Sequence, residues 1–440
     1  MKGGYIDDSG STNESAYSHH FITIPPIAWI NASHKNGVSI LGTVIVEGWT
    51  QSKLICSQIL SNREVIQKMV RKLVDIAKYY HFEGWLINIE CQVERNCIEN
   101  LIYFVELLTQ SMHSYDPKSL VIWYDSVISP DGDLKWQNEL NSYNKCFFDV
   151  CDGIFLNYTW NETNLKTSYD ISCHTFRNFD VFVGIDVFGR NCFGGGGLNT
   201  NLAVKEVAKH DLSLAIFASA WTHEVLGATD FTANEYLFWS LLDLGVHHFP
   251  QTLPLCTSFC QGFGLKQYKR GQIYSQYKWH NLSIQELQPT NHTSVEICTD
   301  EAFNGGGCLR LKQQSAPLFE CEITVKKCFY GITYKSKHNH NKEELEKFKK
   351  FGIFETSNGW LTQAFIIESL RPDSVITLTG IQLNVCHQIK DTVPDVLIGQ
   401  LVPGATSMAR DLSDRVNLGF PGCTLSSAKS QILFVNLRDW

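Results

Sequence analysis

The chain has no long apolar run, no excess of basic charge, no C-x-x-C pair and no internal repeat. Each absence removes a class of function. A membrane-spanning helix needs about 20 consecutive apolar residues, and runs such as Leu214–Trp221 have the length of buried strands instead. No membrane partner is therefore expected. A nucleic-acid surface needs Lys and Arg clustered against phosphates, but 37 basic residues face 45 acidic ones, for a net charge of −8. The Met1–Ser15 segment is polar and acidic where a secretory leader would be basic and then apolar, so a cytosolic location is expected. Without C-x-x-C pairs or spaced His ligands, neither a structural zinc site nor another metal centre is expected. The His19-His20, His247-His248 and His338-Asn339-His340 clusters read as surface histidines. Six N-x-S/T sequons, at Asn13, Asn31, Asn157, Asn161, Asn281 and Asn291, carry no weight outside the secretory pathway.

What is present is apolar and aromatic. Of the 440 residues 44% are hydrophobic and only 19% charged, a composition that folds rather than stays disordered. The 15 cysteines are odd in number and scattered; Cys56, Cys151, Cys256 and Cys260 sit in apolar segments and read as small buried hydrophobes. Aromatics make up 12% of the chain, with 11 Trp, and flat rings beside polar groups suit a neutral ligand such as a sugar.

Short β-branched runs alternate with helical patterns, as in parallel βα units. The spacing predicts strands at Val38–Val46, Trp85–Glu90, Leu120–Asp125, Gly153–Tyr158, Val181–Val187, Leu212–Ala220 and Leu253–Phe259. The clearest helix runs from Asn62 to Tyr80, with Val65, Met69, Leu73 and Ala77 on one face and a capping box at Ser61 and Glu64. This pattern points to an α/β fold, a (β/α)8 TIM barrel whose first strand is short or missing, with Phe21–Ile24 as the one candidate for it. The expected division is a truncated N-terminal segment over residues 1–36, a barrel over 37–265 and a β-sandwich-like domain over 266–440. In the last, strands are expected at Ile323–Lys326, Val375–Thr379, Ile381–Cys386 and Ile432–Leu437, with a solvated charge-rich insertion at Asn341–Lys350.

A barrel builds its site where the strands end. Those ends hold Glu47 and Trp49, Asn88 and Glu90, Tyr124 and Asp125, Asn157, Tyr158 and Trp160, Asp186, and Trp221. On the strand through Trp85–Glu90, alternation sends Asn88 and Glu90 to one face and Ile87 and Ile89 to the other. A carboxyl group can protonate a departing glycosidic oxygen, and an amide can orient a substrate acetamido group to attack C1 in place of an enzyme carboxylate. Trp136, in a polar loop after a strand, reads as a sugar platform. The glycine run in Phe193–Leu198 lacks a phosphate-loop ending and reads as a flexible loop. A polar pair that merely caps a strand end is the competing account of Asn88 and Glu90.

Several ordered runs resemble the cytosolic endo-β-N-acetylglucosaminidases of glycoside hydrolase family 85. They are GWLINIE (Gly84–Glu90), VIWYDS (Val121–Ser126), LKWQNEL (Leu134–Leu140), FFDVCDGIFLN (Phe147–Asn157) and VGIDVF (Val183–Phe188), with HHFITIPPIAW (His19–Trp29) and GVSILGTVIV (Gly37–Val46) before them. The resemblance implies retaining, substrate-assisted cleavage within the chitobiose core of N-glycans, free oligosaccharides and glycoproteins, without a cofactor. It places the acid on Glu90, the amide on Asn88 and a reaction-centre tyrosine on Tyr124. It further implies acceptor-side tryptophans at Trp136 and Trp160, with Glu47, Trp49, Asn157, Asp186 and Trp221 as glycan contacts. Family members usually carry Asp where Glu83 stands, and a longer aromatic segment where Ser9–Ala16 stands. The alternative expectation is a glycan-binding barrel without catalysis; a chitinase-like hydrolase would carry paired Asp residues before the Glu.

Overall fold

The computed structural model describes residues 13–15, 21–35, 38–48, 51–227, 229–242, 244, 256–281, 284–289, 293–313, 315–325, 327–336, 353–355, 359–368, 376–384 and 396–405. The chain divides into two compact units, Met1–Ser33 with Val38–Val246, and His34–Gly37 with His247–Trp440. The division falls before the expected residue 265.

In the first unit one sheet runs in the order β1 (Asn13–Ser15), β3 (Ser39–Val46), β4 (Gly84–Ile89), β5 (Leu120–Tyr124), β6 (Gly153–Leu156), β7 (Val181–Asp186) and β8 (Ser213–Phe217), with β2 (Ile22–Thr23) also on β3. From β1 to β8 along that order every pairing is parallel. The helices, in chain order, include α1 (Ile27–Lys35), α2 (Ser52–Ile59), α3 (Arg63–Tyr80), α4 (Ile98–Tyr115), α5 (Lys145–Phe148), α6 (Glu162–Ser172), α7 (Thr200–Ala208), α8 (Trp221–Glu224) and α9 (Phe231–Leu242).

Strand alternation sorts the core into two layers. Trp85, Ile87 and Ile89 of β4 join Val121 and Trp123 of β5, Ile154 and Leu156 of β6, and Val181, Val183 and Ile185 of β7 in a large cluster that includes the helix residues Ile66, Val70, Leu73, Phe104 and Leu108. The opposite side chains, Leu41, Leu86, Ile122 and Tyr124 with Phe155 and Phe182, form a second cluster on the other face. Close strand approach also needs glycine, most tightly at Gly84. A Cβ on Gly84 would stand 1.7 Å from the carbonyl oxygen of Leu120, its partner in the β4–β5 register. Gly84→Ala is therefore expected to destabilise the fold by about 3 kcal/mol, read as a lower denaturant midpoint. An unchanged midpoint would contradict this packing.

Several expectations are corrected. The polar segment expected to lack strands supplies β1, which pairs in parallel with Ser39–Leu41, while Phe21–Ile24 supplies only the two-residue β2, antiparallel to Thr43 and Val44. Two short pieces thus occupy the edge of β3 where one first strand was sought. Leu253–Phe259 forms no parallel strand among the described residues, and Thr257 instead bridges Leu401 in antiparallel fashion. Helix α3 is capped by the Asn62 side chain, which accepts from Val65 N at 3.1 Å, rather than by Ser61. Its buried stripe is Ile66, Val70, Leu73 and Ala77, and Val65 lies exposed. Cys56, Cys151 and Cys260 are buried as expected, but Cys256 is exposed.

The second unit is antiparallel. Its main sheet runs Val295–Cys298, Cys308–Leu311, Val396–Ala405, Lys327–Ser336, Leu361–Glu368 and Ile353–Glu355, and a separate pair joins Ser315–Val325 to Ile376–Asn384. The last of these merges the two strands expected at Val375–Thr379 and Ile381–Cys386. The Ile432–Leu437 strand, the Asn341–Lys350 insertion and the three histidine clusters lie outside the described residues.

Candidate active site

Because β4 alternates, Asn88 and Glu90 continue the face that starts with Leu86. The neighbouring strands do the same, and parallel pairing brings their C-terminal ends to one edge. Ile122 leads to Tyr124, Phe155 to Asn157, and Phe182 to Asp186. One face of one sheet therefore ends in an amide, two carboxylates, a phenol and a second amide.

The Glu90 carboxylate receives one neutral donor on each oxygen. Asn88 Nδ2 donates to Oε2 at 3.4 Å, and Trp136 Nε1 donates to Oε1 at 3.1 Å. Trp136 is 44% exposed, so its indole meets Glu90 with the N–H while much of the ring stays open to solvent. Asn88 is only 3% exposed, and its Oδ1 accepts no hydrogen bond from the described residues. A buried acceptor left so costs about 1–3 kcal/mol, which a ligand N–H would recover.

Tyr124 is buried and donates its hydroxyl to Asn157 Oδ1 at 2.9 Å. Burial, then the neighbouring Tyr158, Glu90 and Asp125, pushes the phenol far above the usual tyrosine range, so it stays a proton donor. Asn157 Nδ2 donates to Asn138 Oδ1 at 2.8 Å, an oxygen that also receives Thr159 N at 3.0 Å and Thr159 Oγ1 at 2.8 Å. Below these groups lies Asp125, 1% exposed. Its oxygens accept from Gln137 N at 3.0 Å, Asn138 N at 2.7 Å, Asn144 Nδ2 at 3.0 Å and Asn157 N at 3.4 Å. Burial nonetheless outweighs these donors and pushes its carboxyl up to about 6.

The structure brings Asn88, Glu90, Tyr124, Trp136 and Asn157 together and treats the other expected residues differently. Asp186 is buried on the same face, but Arg190 holds it with Nε at 2.7 Å from Oδ2 and Nη2 at 3.1 Å from Oδ1. The largely exposed group there is the Arg190 side chain, which strand-end reasoning missed. Trp160, the other tryptophan expected on the acceptor side, lies in the core. It is 4% exposed, donates Nε1 to Gly184 O at 2.7 Å and stacks on Phe193 at 5.3 Å, which leaves no ring face for a sugar. Trp221 opens the short helix Trp221–Glu224 and packs half-buried against the core. Glu47 follows β3, and its backbone carbonyl accepts from Ser52 Oγ; Trp49 lies outside the described residues. The glycine run is folded into two tight turns with positive φ from Gly194 to Gly197, and Gly197 N donates to Val187 O at 2.7 Å. Among the described residues no group of His, Cys, Asp and Glu is placed to hold a metal ion, and no helix is long and apolar enough to cross a membrane.

The sequence is 40% identical over 350 residues to the cytosolic endo-beta-N-acetylglucosaminidase of Gallus gallus, covering 74% of this chain and 47% of that protein. It is 38% identical over 380 residues to cytosolic endo-beta-N-acetylglucosaminidase 1 of Arabidopsis thaliana, covering 78% and 55%. The corresponding protein of Homo sapiens is 37% identical over 374 residues, covering 76% and 50%. The chain thus spans about half the length of the curated relatives it matches. Among solved structures, the glycoside hydrolase domain of Endo-D from Streptococcus pneumoniae shares the fold with a TM-score of 0.60 at 18% identity, covering 92% of this chain and 77% of that one. The profile of Glycosyl hydrolase family 85 matches residues 14–267, which include every group described at the sheet edge, and the chain belongs to that family.

Proposed function

We propose that this chain is an endo-β-N-acetylglucosaminidase that hydrolyses the β-1,4 bond of the N,N'-diacetylchitobiose core of N-glycans with retention of configuration. The observation that carries this reading is the buried, unpaired Oδ1 of Asn88 beside the Glu90 carboxyl group. An acetamido N–H donated to that oxygen holds the substrate amide with its own oxygen under C1. Protonated Glu90 gives its proton to the departing glycosidic oxygen as the acetamido oxygen bonds to C1. The C1–O bond breaks and an oxazolinium forms. Glu90, now a carboxylate, takes a proton from water as that water opens the ring at C1. Trp136 N–H stabilises the carboxylate state, and Tyr124, kept protonated, is held beside it by the hydrogen bond its hydroxyl gives to Asn157. The sheet is read as the wall of a (β/α)8 barrel and the antiparallel unit as an accessory β-sandwich. The names of the relatives support a cytosolic setting, and the substrates of this reading are free oligosaccharides and glycoproteins that carry the chitobiose core.

The test is incubation with an N-glycosylated peptide. A peptide product that retains a single N-acetylglucosamine is expected by mass. Glycan binding without any such product would replace this reading with a non-catalytic, glycan-binding one.

A further inference from the structure

The face that carries Glu90 and Tyr124 rests on a group the mechanism above does not use. Asp125 has both oxygens occupied by donors and is 1% exposed, so it is not placed to react. Burying a carboxylate is costly unless its lone pairs are filled, and here the filling comes from the segments that hold the reacting residues. We propose that Asp125 is a positioning residue that aligns Glu90 and Tyr124 with each other through the turn at residues 136–138. The proposal rests on the assignment of Glu90 and Tyr124 to catalysis.

Two branches leave this carboxylate. In the first, Asp125 accepts from the backbone N–H groups of Gln137 and Asn138, which anchors the turn bearing Trp136, whose indole N–H meets Glu90 Oε1. In the second, Asn138 takes the left-handed conformation with φ 57°, which Asn tolerates better than most residues. Its Oδ1 accepts from Asn157 Nδ2, and Asn157 Oδ1 accepts the Tyr124 hydroxyl. A third link runs directly from Asn157 N to Asp125 Oδ2. The acid and the phenol lie on adjacent strands, and this hub joins their side chains. An amide in place of the carboxylate would turn one acceptor oxygen into an N–H donor facing other N–H donors. The turn would then shift, and Trp136 and Asn157 with it. Misplacement on the scale of 1 Å costs about 100-fold in rate.

The experiment compares Asp125→Asn, Asn138→Gly and Trp136→Phe with wild type on an N-glycosylated peptide. It is read with thermal unfolding and with hydrogen exchange at the amides of Gln137, Asn138 and Asn157. Asp125→Asn is expected to lower kcat by about 10- to 100-fold with KM within about twofold, and to speed exchange at those amides. In a Trp136→Phe background its effect on kcat should shrink, because one branch is already cut. Should Asp125→Asn fail to fold, Asn138→Gly carries the test, since glycine keeps the left-handed backbone and removes the acceptor for Asn157 and Thr159 together with the Nδ2 donor to Trp136 O; a fall in kcat of about 10-fold at unchanged KM is expected. Unchanged kcat, a rise in KM alone, or effects that simply multiply with Trp136→Phe would overturn the proposal. If wild type shows no turnover, the assignment of function fails instead. Exchange then decides the hub by itself: unaltered protection in Asp125→Asn overturns it, and faster exchange at the three amides supports it.

Discussion

Replacing Glu90 with Gln is expected to lower kcat on an N-glycosylated peptide by about 1,000-fold or more, with KM nearly unchanged. General acid and base catalysis contributes roughly 100- to 10,000-fold, and the proposed mechanism assigns both halves to Glu90, so the upper part of that range applies. The glutamine is close in shape. Its side-chain oxygen can still accept the Trp136 N–H, and the helix-packed face of β4, formed by Trp85, Ile87 and Ile89, is untouched. Thermal unfolding should therefore stay close to wild type, which separates lost chemistry from lost fold. Undiminished turnover in Glu90→Gln would remove this residue from the mechanism.

Asn88→Ala is expected to cost about 100- to 1,000-fold in kcat, the scale seen when one preorganised polar group is removed from a reaction centre. Stability should respond differently. The asparagine keeps a buried carbonyl oxygen without a donor among the described residues, so its removal relieves a desolvation cost that partly offsets the lost packing, and unfolding free energy should change by no more than about 1 kcal/mol. A residue that lowers activity greatly and stability little is present for the ligand. The assigned task also makes a sharper prediction. A glycan supplied with its oxazoline ring already closed bypasses the step that Asn88 assists, so Asn88→Ala should use that donor far better than it uses the glycopeptide. Equal loss on both donors would mean that Asn88 does not act in ring closure.

Much of this architecture was legible because it depends on local alternation. The strands from Ser39–Val46 to Ser213–Phe217 are β-rich runs flanked by helical patterns, and period 2 was enough to send Asn88 and Glu90 to one face. The first edge of the sheet was less legible. Three polar residues, Asn13–Ser15, pair with β3 through backbone hydrogen bonds, and such pairing leaves no hydrophobic signature. Leu253–Phe259 misled for the opposite reason: apolar character marks burial, and Thr257 and Phe259 are buried in the antiparallel unit. In α3 the apolar stripe was offset from the true one because Val65 is apolar yet exposed.

At the site, motif position pointed to side chains that the structure brings together but could not say how each indole is used. Trp136 and Trp160 both follow strands, yet one meets Glu90 at the surface and the other packs on Phe193. Only the tertiary partner distinguishes them. The same holds for Arg190, four residues after Asp186 and able to reach it only because the chain turns at Gly189, with φ 71°. Asp125 stood in the strand-end pattern beside Tyr124, but its partners come from a loop and a second strand, and no spacing in the sequence relates them.

The central claim is that a substrate acetamido group, oriented by Asn88 and assisted by Glu90, is the nucleophile. Proton NMR of the reducing end released from a glycopeptide, followed from the first minutes before mutarotation, tests it most directly. The account predicts that the β-anomer forms first, because two displacements at C1 retain configuration. Initial formation of the α-anomer would require direct attack by water and would contradict it.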